Sequence, residues 1–443
     1  MLFGIDDPMG IRVLYGANRV LELNSKIPVT VVNPLGAEVP PIQDLDQAMR
    51  EMLSDPLKLP PLAKCVTGSD RVILALKRGT PRGSEILAAV ARYLLPVLTP
   101  EGHLTVLRTQ LDEEMGRGDP RPYLPVQGRE LVEVKTHRSD IQEDFALLGR
   151  FHNGRPLRLH RDLVDADVVI PIGWSQPGGA WGSYGASGAV FPAFSDRQSQ
   201  LVHWREAVRS ANRDPSTGDR QRHRRGRMNH EANWLLGMQF AIEVIPGPSE
   251  NILRIVAGMT KSVAEVAGES YRKWWCPTVD HKADLVIAGV DHDPSHTPWE
   301  NLAQAAWSAA RLVRRGGCIV LVTDWDEDVL SLPINGHSLA EASGIWSWSE
   351  FLQRHGDRGV PFWLLARVRH RASLCLWTAE PLGDESLGGW RDRLSLETAS
   401  GMAVIERLIH NVNSCTVFCH ASIAWPTVLR KRRGVEEGAQ KER

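Results

Sequence analysis

Long apolar runs are scarce in this chain. No stretch reaches the roughly 18–20 consecutive apolar residues of a membrane-spanning helix, so no span is predicted. A secretory signal is also missing from the pattern, because MLFGIDDPMGIRVLYG carries acidic residues where a signal peptide needs a basic region. A cytoplasmic location is the expectation. Charge of one sign is lacking too: a formal net charge of -1 over 443 residues gives neither nucleic acid nor an anionic membrane an electrostatic reason to bind. The six cysteines, at 65, 276, 318, 375, 415 and 419, are scattered, which suits reduced thiols rather than a disulfide framework. Cys415-x3-Cys419-His420 has no second ligand pair at finger spacing, and Cys415 and Cys419 can share one buried helical face instead. No glycine cluster gives a clean G-x-G-x-x-G between strand and helix with an acidic residue about 20 positions on, which argues against a dinucleotide-binding oxidoreductase. Tyrosine is rare, five against fifteen tryptophans, and the tryptophans read as packing of cores and a domain interface. No internal repeat is present.

With 42% apolar and 24% charged residues the composition is that of a folded protein, and the length exceeds what one core usually serves, so two domains are expected. The organising stretch is Asp165 to Ala193. Val168, Val169, Ile170, Pro171 and Ile172 read as a buried strand of a parallel sheet, and the loop after it holds Gly173, Gly178, Gly179, Gly182, Gly185 and Gly188. Ligand crevices of open α/β sheets lie beyond the carboxyl ends of strands, where glycine admits close backbone approach.

Upstream, residues 1 to about 35 alternate like edge strands, Asp70 to Leu76 is a strand, Thr80 to Glu85 opens a helix at Ile86, and His103 to Leu107 is the next strand. The basic segment Ser210 to Arg227 reads as a solvated loop, or as a contact for an anion or partner through arginine forks. Phe240 to Ile245 and Asn251 to Ala257 are paired strands, and Ser262 to Trp275 is a helix linking two domains. Ala283 to Val290, the helix Trp299 to Arg314 and Cys318 to Val322 form a right-handed βαβ unit. Phe362 to Val368 and Ser373 to Trp377 read as strands. Leu396 to Ile409 reads as a helix crossing back to the first domain, and the tail from Arg430 as a frayed end. The predicted division is 1–260, a linker at 261–278, 279–395, and 396–443.

These residues resemble the nickel-dependent lactate racemase family. In that family a strand of type ADLVIxIG leads into a P-H pair and an A-G-[FY]-S-G-G-x-K-x-x-x-P-G loop. Here Ile172 and Gly173 match the strand end, Pro177 the proline, Gly182 and Gly185 two loop glycines, and Pro192 the closing proline. The family's D-x-T-R-P-T-P turn matches Ala75 to Pro81, with Arg78, Thr80 and Pro81 in place. By this register Asp112 stands where one catalytic histidine belongs, Gly178 where the other does, and Gly188 where a lysine carries the nickel-pincer nucleotide. His203 sits within one residue of a nickel-ligand histidine. The Y-Q-x-x-K group of the second domain falls on Asn301 to Ala306, which contains no lysine.

The resemblance implies an α/β fold of two Rossmann-like domains with a cleft between them. It assigns Arg78 and Asp112 to catalysis, Thr80, Gly182, Gly185 and Ser187 to cofactor binding, and His203 to a metal; His203 as a helix-surface histidine is the other reading. The cofactor stays unknown, since the precedent is a nickel-pincer nucleotide and its anchor is Gly188 here. The expected function is a divergent racemase-like protein without the nickel-pincer activity, a pseudoenzyme holding a small carboxylate or nucleotide-like ligand in its crevice. The alternative is an active racemase or epimerase on a 2-hydroxy acid or related carboxylate with altered cofactor handling. A fold alone does not decide between them.

Overall fold

The structure is a computed structural model that describes residues 11–175, 185–203, 219–330, 348–383, 394 and 396–429. Two six-stranded sheets carry the fold, and their strands are, in chain order, β1 (Val29–Val32), β2 (Arg71–Leu76), β3 (His103–Thr109), β4 (Val132–His137), β5 (Val168–Trp174), β6 (Phe240–Pro246), β7 (Ile252–Met259), β8 (Ala283–Gly289), β9 (Val313–Thr323), β10 (Ser373–Thr378), β11 (Leu396–Ser400) and β12 (Cys415–Phe418). The helices used below are α1 (Leu45–Ser54), α2 (Gly83–Leu94), α3 (Asp219–Leu235), α4 (Thr260–Trp275), α5 (Pro298–Ala309), α6 (Val360–Arg369) and α7 (Met402–His410).

The first sheet has the order β7-β6-β5-β2-β3-β4 and is parallel except for β7, which returns antiparallel to β6. The organising strand of the sequence, β5, lies inside it between β2 and β6. Its 168–174 run is apolar because neighbours cover it: Ile170 and Ile172 are fully buried beside Val72, Leu74 and Ile242. The second sheet is wholly parallel, in the order β11-β10-β9-β8-β12-β1. Its strands β8 and β9 with α5 between them form the predicted βαβ unit, and α5 starts on a capping box in which Thr297 and Glu300 bond each other's backbone N–H. Among the described residues eight tryptophans, including Trp275, Trp299, Trp363 and Trp377, are buried, whereas Trp234 is exposed.

Five local expectations are corrected. Residues 362–368 are part of helix α6, not a strand; nearly the whole segment is buried, so it shows no amphipathic period to read. Residues 396–409 are not one helix: β11 ends at Gly401, which takes the left-handed φ of 75°, and α7 follows. Helix α7 also does not cross to the first sheet, because Ile405 and Ile409 are buried against Leu285, Ile287 and Val320 of the second. Cys415 lies on strand β12 and Cys419 just past it, so they share no helical face. The basic segment 210–227 divides: residues 219–227 begin helix α3, and 210–218 lie outside the described residues.

One chain reversal shapes the whole. Residues 29–32, read as an edge strand of the first domain, form the outer strand of the second sheet by pairing with Cys415–Phe418. The hairpin before them, Ile11–Tyr15 with Arg19–Leu23, buries Val13, Leu21 and Leu23 in the same cluster. Among the described residues no helix is long and apolar enough to cross a membrane.

Candidate functional site

The carboxyl ends of β2, β5 and β6 meet the loop 291–300 from the second sheet. Strand β2 runs on into Lys77-Arg78-Gly79-Thr80, and each of these four residues is fixed by a different neighbour. The Lys77 N–H donates to the Ile172 carbonyl at 2.8 Å, and the Thr80 hydroxyl donates back to the Lys77 carbonyl at 2.6 Å. Gly79 takes φ 74° with His296 packed where a side chain would stand. Arg78 Nη2 reaches Glu300 Oε1 at 2.5 Å, an ion pair in which Glu300 is 3% exposed. That pair ties the end of β2 to the first turn of α5.

Between these elements lies a cleft of about 190 Å³ whose lining includes Thr80, Arg82, Asp112, Arg117, Glu250 and Ser295. Arg117 pairs with Glu250, and the Ser295 hydroxyl donates to the same Glu250 carboxylate at 3.1 Å. Arg82 pairs with Glu85 at 2.5 Å in the first turn of α2. Asp112 is 3% exposed, and its carboxylate accepts from the Thr109 N–H at 3.1 Å and the Thr109 hydroxyl at 2.6 Å as the far half of a capping box. Burial pushes its pKa up, against the hydrogen bonds from Thr109 and the charge of Arg78.

A second group lies on the β5 and β6 side. Lys77 Nζ donates to the Trp174 carbonyl at 3.0 Å and stands over the Trp174 ring, 4.7 Å from its centroid. Glu243, inside β6, is 4% exposed and accepts the Ala186 N–H at 3.1 Å. Burial lowers the Lys77 pKa to about 7, with Glu243 holding it up, and burial raises that of Glu243. Gly185 takes φ 59° directly against the Glu243 carboxylate, and a Cβ placed on Gly188 would lie 3.8 Å from Lys77 Cε. Trp174 Nε1 donates to the Arg78 carbonyl at 3.2 Å, and its ring meets His296 edge-on at 5.1 Å.

The sequence-derived residues therefore separate. Thr80 and Asp112 line the cleft and Arg78 sits beside it on Glu300. Gly185 shapes the pocket of Glu243, and Ser187 is half-exposed next to Gly188. His203 is elsewhere: it is 1% exposed, edge-on to the Phe191 ring at 5.9 Å, on the side of a separate 670 Å³ cavity lined by Phe191 and Val202. Gly182 lies outside the described residues, as do Pro177 and Gly178. No group of three or more histidine, cysteine, aspartate or glutamate side chains that could hold a metal occurs among the described residues. His420 pairs with Asp291 at 2.6 Å in a buried contact.

Lys77 and Glu243 were missed as site residues. Glu243 gave a usable signal, a lone acid within the apolar run Phe240-Ala241-Ile242-Glu243-Val244-Ile245. Lys77 read only as a changed letter in a turn.

Residues 15–214 match the family model of the lactate racemase N-terminal domain. The whole chain is similar in structure to the lactate racemase apoprotein from Thermoanaerobacterium thermosaccharolyticum, at 14% identity and a TM-score of 0.69, covering 95% of this chain and 100% of that one. It is also similar to a structural-genomics protein from Thermotoga maritima, at 14% identity and a TM-score of 0.55, covering 87% of this chain and 98% of the other. At such identities the likeness is one of fold. No curated protein matches in sequence.

Proposed function

We propose that this chain is a lactate racemase-like protein whose crevice binds a small carboxylate and which does not carry out nickel-pincer racemisation. The observation that supports binding is the 190 Å³ cleft, in which Thr80, Arg82 and Arg117 converge beside Arg78 at the carboxyl end of β2. A volume of that size suits a molecule of a few heavy atoms rather than a nucleotide.

What supports the absence of pincer chemistry is the geometry around the glycine that the family resemblance puts in the anchor position. Gly188 has no amine to offer, and a side chain grown from it would run toward the Lys77 methylenes. His203, the metal candidate, is packed edge-on to Phe191, and Asp112 spends its carboxylate on the Thr109 cap. These residues do not fit the group as the family holds it, and no step is derived through it.

Metal analysis and intact mass of the protein from cells that make the pincer cofactor test the second half of the reading: mass of the bare chain and no stoichiometric nickel are expected, and a covalent nucleotide adduct with nickel would overturn it. Calorimetric titration with lactate and pyruvate tests the first half. Saturable binding is expected, with Arg78→Ala weakening it at least ~10-fold through loss of a charge-assisted contact. Unchanged affinity in a variant that still melts cooperatively removes Arg78 from the site.

A further inference from the structure

We propose that Glu250 is a built-in competitor for the crevice: its carboxylate holds Arg117 in the place a ligand carboxylate would take, and the same contact ties the two sheets together at the cleft until a ligand displaces it. The inference deepens the carboxylate-binding reading of the crevice and rests on it.

Two arginines are among the residues that line the cleft, and they are held differently. Arg82 closes a two-point fork on Glu85, three residues along its own helix start, with Nε to Oε1 at 3.0 Å and Nη2 to Oε2 at 2.5 Å. Arg117 meets Glu250 through Nη1 and Oε1 alone, and each of these side chains is 25% exposed. The backbone of Arg117 is pinned, its N–H donating to the Asp112 carbonyl at 2.6 Å and its carbonyl accepting Arg108 Nη1 at 2.8 Å, so the side chain is the part that can change partners. A guanidinium engages a carboxylate best through two parallel N–H bonds. A small acid that takes two Arg117 nitrogens therefore makes a better contact than the one it removes, and a pair this open to water is weak enough to exchange.

Glu250 is brought to that position by a strained turn. Between β6 and β7 the chain reverses at Pro248-Ser249-Glu250-Asn251, where the Asn251 N–H donates to the Pro248 carbonyl at 3.1 Å and the Gly247 N–H to the Asn251 carbonyl at 2.6 Å. Ser249 at φ 52° and Glu250 at φ 64° are consecutive left-handed residues without glycine, a pattern that asparagine and glycine fill at least cost. Strain of this kind persists where surrounding contacts enforce it. Here both contacts reach the other sheet. The Ser249 hydroxyl donates to the Ala17 carbonyl at 2.9 Å, in the hairpin packed on the second sheet, and Glu250 Oε1 accepts the Ser295 hydroxyl at 3.1 Å, in the loop that leads from β8 to α5.

One carboxylate thus serves two purposes. It satisfies Arg117 while the cleft is empty, and through Ser295 it joins the turn of the first sheet to the loop of the second. A ligand that displaces it takes over the cation and removes one of these ties, so occupancy of the cleft is coupled to loosening between the sheets at this edge.

Calorimetric titration of the full chain with pyruvate and with lactate tests this on the native protein, Glu250→Gln and Glu250→Asn. Asparagine is included because it accepts the left-handed backbone and so keeps the turn if the glutamine variant fails to fold. Both variants are expected to bind at least ~5-fold more tightly than the native chain, because the competing carboxylate is gone, and in an Arg117→Ala background the gain is expected to vanish. Binding seen in the variants alone supports the proposal in the same way. Affinity that is unchanged or weaker in the folded variants overturns it and makes Glu250 a group that positions Arg117, and a gain that persists without Arg117 overturns it as a general effect of charge. The two readings fail separately: native binding that neither variant improves removes the competitor and leaves the carboxylate crevice standing, whereas no binding by the native protein or either variant removes both.

Discussion

Lys77 gives the site a pH signature that stability measurements can read. Its pKa is about 7 in the folded chain, below the ordinary lysine value near 10.5, so between those values the unfolded chain binds the extra proton. Stability attributable to this residue therefore rises with pH from about 7 to 10.5 and is lost on the way down. Urea denaturation at pH 7 and pH 9.5 is expected to show a steeper gain for the native protein than for Lys77→Met; equal slopes would mean that the amine is not held neutral. His137 works the same way in a lower window. Buried between Phe145 and Phe194 with His160 nearby, it has its pKa lowered by burial from 6.5 to about 3, and stability is lost as pH falls from 6.5 toward 3, by on the order of 5 kcal/mol at most. His137→Phe is expected to flatten acid unfolding across that range. Little of this was legible in the sequence. Arg78 and Thr80 were found because their turn matched a motif, while Lys77 and Glu243 meet only through strand neighbours, β2 with β5 and β5 with β6, that no local pattern encodes.

Strand ends and glycine turns carry the geometry one level up. Gly185 adopts φ 59° with the Glu243 carboxylate standing where a Cβ would go, so Gly185→Ala is expected to cost roughly 1–3 kcal/mol from backbone strain and steric overlap together. Part of that cost should disappear in a Glu243→Ala background, a coupling a double-mutant cycle in urea measures; strict additivity would show that the two do not touch. The strands flanking this turn were readable because β-branched runs bounded by glycine have few alternatives. Helix α6 was not, since Phe362, Trp363, Leu364 and Leu365 are all buried and a segment enclosed on every side carries no period. The 396–410 stretch misled for the opposite reason: α7 is strongly amphipathic, and its pattern was extended backward through Gly401 into β11.

Across the molecule, an α/β fold with parallel-type sheets followed from alternating strand and helix signals, and the fold similarity to the solved lactate racemase apoprotein agrees with it. The membership of the amino-terminal segment did not follow, because sequence order says nothing about which sheet an edge strand joins. Deleting residues 1–32 is expected to damage the second sheet rather than the first, stripping the outer strand from β12 and uncovering Leu285 and Ile287. Hydrogen exchange should then quicken in residues 283–289 and 415–418 while 71–76 stays protected, and the reverse pattern would contradict the topology.

That same pairing sets an order of events in the cell. A strand at residues 29–32 finds its hydrogen-bonding edge only after nearly four hundred further residues have been made. Until then Val29–Val32 is an unsatisfied β-edge, and nascent chains are expected to depend on chaperones for longer than the early β2–α2–β3 unit would suggest.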